Sequence, residues 1–186
     1  MSRLSVTRTI SAPVEVVFGY VDDYHNLTRF MKDLSTWEPV GSQVHGKGAV
    51  FKVGMKAGPM TIESTVEVTD WAENASIGFV SRKGFKQSGT WSFARSGSGS
   101  AATLDVEYEF PGGFAGKIAA RAAEPIMRGN LERAVTELKA QTERLAAARK
   151  PAEKPAAAST AAPAAAKAAK PAAARTAKSG TAARKR

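Results

Sequence analysis

The chain has no cysteine and only two histidines, His25 and His45. The first absence excludes disulfide staples, a zinc ribbon and a cysteine nucleophile. With two separated imidazoles and no thiol, no transition-metal site and no cofactor are expected. No apolar run approaches the ~18–20 residues that a bilayer-spanning helix requires. The opening stretch MSRLSVTRTISAPVEVVF lacks the apolar core of ~7–15 residues that marks a secretory signal. A cytoplasmic protein that is not an integral membrane protein is the expectation.

Acidic residues are scarce in one region only. The 186 residues carry 27 Lys plus Arg against 17 Asp plus Glu, a formal charge of +10. Residues 1–146 are nearly balanced, 17 against 16, whereas residues 147–186 hold 10 cations and the single acid Glu153, a net of +9. The same 40 residues contain 19 Ala and four Pro, and no aromatic, Leu, Ile, Val or Met. Such a segment has nothing to bury against an ordering cost of ~1–2 kcal/mol per residue. A folded domain over residues 1–146 and a disordered Ala/Lys/Pro-rich basic tail over 147–186 follow.

Within the domain the pattern begins with period two. Leu4, Val6 and Ile10 alternate with polar residues, which predicts a half-buried strand. Pro13 stands where a helix tolerates a missing N–H, and Val14, Val17, Phe18 and Val21 recur at helical spacing over 13–21. Residues 24–31 read as a second short helix. Six strands follow: 34–44, 46–56, 60–69, 77–81, 87–93 and 104–110. Ala57-Gly58-Pro59, Glu73-Asn74 and the SGSGS run at 96–100 mark turns between them. The last element is helical. Phe114, Ile118, Ala122 and Ile126 lie four apart, and Leu131, Val135, Leu138, Thr142 and Leu145 continue the series over about 30 residues. Pro125 is expected to kink it.

The order β-α-α-β6-α with short links predicts an α+β fold: a curved antiparallel sheet of about seven strands wrapped around the long C-terminal helix. A sheet that bends away from one helix leaves space between them. Several local stretches carry a resemblance. They are Ile10 to Phe18 (ISAPVEVVF), the run from Val21-Asp22-Asp23-Tyr24 to Phe30-Met31, Gly89-Thr90-Trp91-Ser92-Phe93, and the closing helix from Asn130 to Lys139. Over residues 2–146 the chain is similar to the START-like superfamily, the helix-grip fold, and within it to the bacterial polyketide cyclase/dehydrase and lipid-transport family. That resemblance implies an internal hydrophobic cavity for a lipid-like or polycyclic ligand. It leaves catalysis open, because one fold hosts binders, carriers and enzymes.

The inward faces of the strands supply the candidate pocket: Phe51, Val53 and Met55; Met60, Ile62, Ser64 and Val66; Ile77, Phe79 and Ser81; Trp91 and Phe93; Val106 and Tyr108. The final helix adds Phe114, Ile118, Ala122 and Ile126. Each apolar member has a second reading as plain core. Ser64, Ser81, Gln87 and Tyr108 are the groups suited to hydrogen-bond a ligand. His25 is placed near the pocket mouth, and His45 is expected to be exposed. Asp105, Glu107 and Glu109 alternate with apolar residues and read as the solvated face of a strand.

Binding or transport of a hydrophobic small molecule is the leading function. A polyketide cyclase/dehydrase performing aldol cyclisation and dehydration is the alternative, for which two serines and a tyrosine are thin acid/base equipment. A third reading gives the tail sequence-independent contact with nucleic acid or an anionic surface through counterion release.

Overall fold

The computed structural model describes residues 1–57 and 60–149; the predicted tail lies outside the described residues beyond Arg149. The elements are β1 (Ser2–Ile10), α1 (Val14–Asp22), a 3-10 turn (Tyr24–Asn26), α2 (Leu27–Phe30), β2 (Leu34–Pro39), β3 (Val50–Ala57), β4 (Met60–Ala72), β5 (Ser76–Gly84), β6 (Lys86–Ser96), β7 (Gly99–Glu109) and α3 (Gly113–Arg149). The seven strands form one antiparallel, curled sheet in the order β1-β7-β6-β5-β4-β3-β2. The predicted helix-grip architecture is therefore present.

Hairpins account for β2 through β7. β1 closes the far edge by pairing with β7, Leu4 opposite Val106 and Val6 opposite Leu104. These apolar pairs lie on the concave face, while Thr7 and Thr103 share a 2.8 Å hydroxyl contact on the other. Asp105, Glu107 and Glu109 are on that outer face too, as their alternation predicts. Register shifts in the pairing of β4 with β5 interrupt the ladder at Thr65/Val66 and Val68/Asp70; such bulges bend a sheet.

Several boundaries differ from the sequence reading. The strand expected over 34–44 stops at Pro39, and the next starts at Val50 rather than Gly46. Gly41, Gly46 and Gly48 take φ of 95°, 75° and 94°, which extended backbone does not accommodate. The SGSGS run is mostly strand, since β6 and β7 pair up to Ser96 opposite Gly99 across a two-residue turn. The final helix is longer than expected and continuous through Pro125.

The helix α3 lies against β1, β7, α1 and α2, and does not sit centrally on the sheet. Its attachments are specific. Glu143 accepts the Ser11 backbone N–H and the Lys139 ammonium, each at 2.6 Å, and Lys139 also donates to the Thr9 carbonyl at 2.9 Å. The Tyr20 hydroxyl bonds the Gln141 side chain. Because the helix is held to one edge, the concave face of the middle strands is left to side chains and to α1 and α2.

Candidate functional site: an apolar cavity under the helix

Between the concave face and α3 lies a cavity with room of about 110 Å³ for a water-sized sphere. A single water needs ~10–15 Å³ on such a measure, and an apolar cavity of ~150 Å³ accepts benzene. At about 110 Å³ the space is smaller than that, so it suits a short acyl segment, or one small ring with a slight adjustment of the wall. Pockets for drug-sized ligands run to ~300–1,000 Å³, so a larger guest requires the wall to move.

Of the predicted pocket residues, Phe51, Val53, Met55, Val66, Phe79 and Trp91 line this cavity, with Ile77 and Val106 beside them. Phe79 keeps its place because its strand neighbour is Gly89. A Cβ on Gly89 would come within 2.6 Å of the Phe79 ring and 2.7 Å of the Asp105 carbonyl.

The other candidates fall elsewhere. Ile62 belongs to a separate cleft with Phe85 and Phe110. Phe93 packs edge-on against Phe18 at 5.5 Å, beneath α1. Ser64 and Ser81 are tied to a cavity residue: the Gln87 amide donates to Ser64 Oγ at 3.3 Å, and the Gln87 backbone N–H to Ser81 Oγ at 3.0 Å. Tyr108 pairs with Gln87 across the strands but is not part of the cavity wall. Its hydroxyl is buried and meets no hydrogen-bond partner among the described residues. Burial, the largest influence, raises its pKa above the ordinary 10.0 with help from Glu124, against opposing effects of Ser2 and Arg128.

The helix candidates require correction. Phe114, Ile118 and Ile126 are 80%, 58% and 68% exposed, and Ala122 is exposed as well. The helical face that meets the sheet runs through Ala120, Met127, Leu131, Val135 and Leu138, and it is Met127 and Leu131 that line the cavity. The cause is rotational phase. At ~3.6 residues per turn, the five-residue step from Ile126 to Leu131 turns about 140°, so these two side chains cannot share a face. Counting four residues back from Leu131 reaches Met127, and that signal is present in the sequence.

The rest of the lining is the part that the sequence shows least. Val21, Asp22, Tyr24, Leu27 and Met31 come from α1 and the two turns after it, Leu34 and Trp37 from β2, and Val44, His45 and Gly46 from the loop before β3. Asp22 accepts the Trp71 indole N–H at 2.8 Å and lies 4.0 Å from His45 Nδ1. His45, not His25, thus reaches the cavity. His25 instead lies in the 3-10 turn that Asp23 caps: Asp23 Oδ1 accepts the His25 backbone N–H at 3.1 Å and its ring Nδ1–H at 2.8 Å. Partial burial would push the Asp23 carboxyl up, but the His25 hydrogen bonds and charge, with Arg29, hold it below the ordinary value. Trp37 stacks on Phe51 with ring centroids 5.1 Å apart, and its indole N–H is buried without a partner among the described residues.

Among the described residues no cluster of three His, Asp or Glu could hold a metal ion, and no helix is long and apolar enough to cross a membrane. The wall's polar groups are few: Gln87, Trp37, Tyr24, and the Asp22–His45 pair at the mouth.

Solved structures share this architecture. A protein of Thermus thermophilus superposes with a TM-score of 0.68 at 22% identity, covering 77% of this chain and 99% of its own. The Zhui aromatase/cyclase of Streptomyces sp. R1128 gives 0.63 at 14% identity, over 77% and 94% of the two chains. A START superfamily protein from Mycobacterium smegmatis gives 0.58 at 18% identity, over 77% and 98%. At these identities the likeness is one of fold. No functionally curated protein matches the chain. Residues 1–143, however, match the family described as polyketide cyclase / dehydrase and lipid transport. The sheet, the gripped helix and that match over most of the sequence agree: the chain belongs to the polyketide cyclase/dehydrase and lipid transport family.

Proposed function

We propose that this protein binds, and by binding carries, a hydrophobic small molecule in the cavity between the sheet and α3. The observation that carries the reading is the wall itself: about 110 Å³ of space bounded mainly by aliphatic and aromatic side chains, with isolated polar points. Transfer of apolar area from water into such a space supplies ~25 cal/mol per Å². The cyclase reading has less support. Acid/base chemistry needs donors and acceptors converging on the reacting atoms, and the one carboxylate–imidazole pair on the wall, Asp22 and His45, stands at the rim with the imidazole largely exposed.

Native mass spectrometry of the purified full chain should show a co-purified small molecule, and a Leu104→Trp variant that fills the cavity should lose it while keeping its circular dichroism. Equal retention of the adduct by the filled variant would remove the proposal. The basic residues 147–186, net +9, give a separate reading as a polyanion contact. It predicts salt-dependent DNA binding that disappears in a chain ending at Ala146; equal binding by both chains removes it.

A further inference from the structure

We propose that the outward face of the N-terminal half of α3 is a docking surface, and that its partner is an anionic lipid bilayer. The inference concerns the outside of the molecule and does not rest on the cavity reading above.

Three observations carry it. First, the helix changes polarity along its length. Over residues 113–129 the side turned away from the sheet presents Phe114, Ile118, Ala122 and Ile126, all exposed. Between Asn130 and Arg144 the exposed positions are Glu132, Arg133, Thr136 and Arg144, as a solvated face requires. The apolar stripe runs for about 18 Å at ~1.5 Å per residue, and a contiguous exposed patch of this kind marks an interaction site. Second, charge near the stripe is mostly of one sign. Residues 113–129 hold Lys117, Arg121 and Arg128 against Glu124 alone. Third, the start of the stripe adjoins more cations. Gly116 packs on the Phe110–Pro111 link so closely that a Cβ there would come within 2.7 Å of the Pro111 carbonyl. Phe110 meets Phe85 edge-on at 5.3 Å, and Phe85 stands in the β5–β6 turn between exposed Lys83 and Lys86.

The occupant must therefore offer an apolar phase bordered by negative charge. A second copy of the chain would set cations against cations. A nucleic acid supplies phosphates but nothing to cover Phe114 and Ile118. These side chains stand out from a rod, so a protein partner would have to bring its own groove. A bilayer accepts such a helix lying flat, with its apolar side at the acyl boundary and its basic residues among anionic headgroups.

The test is flotation of the full chain with vesicles of phosphatidylcholine alone or mixed with phosphatidylglycerol. Residues 147–186 are common to every variant, so their contribution cancels between variants. The parent should float with the mixed vesicles. Phe114→Ser/Ile118→Ser should weaken that binding about tenfold or more while the thermal melt stays unchanged, because both positions are exposed. A Phe114→Trp variant reads insertion directly: relative to the parent, its emission should shift to the blue on mixed vesicles and be quenched by brominated acyl chains. Absence of parent binding, equal binding by the double variant, or unaltered emission from Phe114→Trp would overturn the proposal. Concentration-dependent dimerisation that Phe114→Ser/Ile118→Ser abolishes, seen by analytical ultracentrifugation, would assign the stripe to a second copy and overturn it as well. No readout involves a cavity guest, so each of these failures leaves the cavity reading standing.

Discussion

Asp22 at the end of α1 accepts a 2.8 Å hydrogen bond from the Trp71 indole on β4. The bond ties the helix–turn segment that rims the cavity to the sheet, and it orients the carboxylate that faces His45. Asp22→Ala removes the acceptor and leaves a half-buried indole N–H unpaired, so stability should fall by about 1–2 kcal/mol. Asp22→Asn retains an oxygen acceptor and should lose less. Dissociation of an apolar guest from the cavity, measured by stopped-flow fluorescence, should be faster in Asp22→Ala, because the rim is then less firmly held.

The two faces of α3 should respond differently. Leu138 is fully buried, and Leu138→Ala should cost about 2–5 kcal/mol in urea unfolding. Ile126 is 68% exposed, and Ile126→Ala should stay within about 0.5 kcal/mol of the parent. Similar losses at both positions would contradict the helix phase described above.

Tyr108→Phe should leave stability unchanged or raise it by up to about 1 kcal/mol, since the buried hydroxyl makes no well-formed hydrogen bond among the described residues and only the Ser2 side chain acts on it as a hydrogen-bonding neighbour. The pH dependence has a definite sign. Burial raises the folded-state pKa above the ordinary 10.0. The neutral phenol's contribution is therefore intact below pH 10 and is lost as pH rises through the folded value. Thermal melts between pH 9 and 11 should show the parent losing more stability than Tyr108→Phe.

Glu143 gives the opposite sign. Hydrogen bonds from Lys139 and from the Ser11 backbone outweigh its partial burial and hold its pKa below the ordinary 4.5. Its contribution is present above pH 4.5 and fades as pH falls through the lower folded value. Glu143→Gln should lose about 1 kcal/mol at pH 7, and the gap to the parent should close in melts taken toward pH 3.

The limits of the sequence reading follow from what a period can report. Val14, Val17, Phe18 and Val21 are legible from helical spacing alone, and all four are buried. The concave faces of β3 and β4 are likewise legible, because Phe51 and Val53, and Ser64, Val66 and Val68, alternate with polar neighbours in a strand of period two. The bonding of Gln87 to Ser64 and Ser81 is not, since it bridges three strands whose alignment depends on bulges. Nor is the rim. Trp37 follows a register shift in β2, and His45 sits in a loop without period.

Composition and local periodicity thus determined the order of elements, the inward strand faces and the antiparallel sheet around one helix, because each depends on residues close in the chain. Tertiary structure alone decided which histidine reaches the cavity and which indole N–H is left without a partner among the described residues. Those outcomes depend on contacts between segments far apart in the chain, which the spacing of neighbouring residues does not encode.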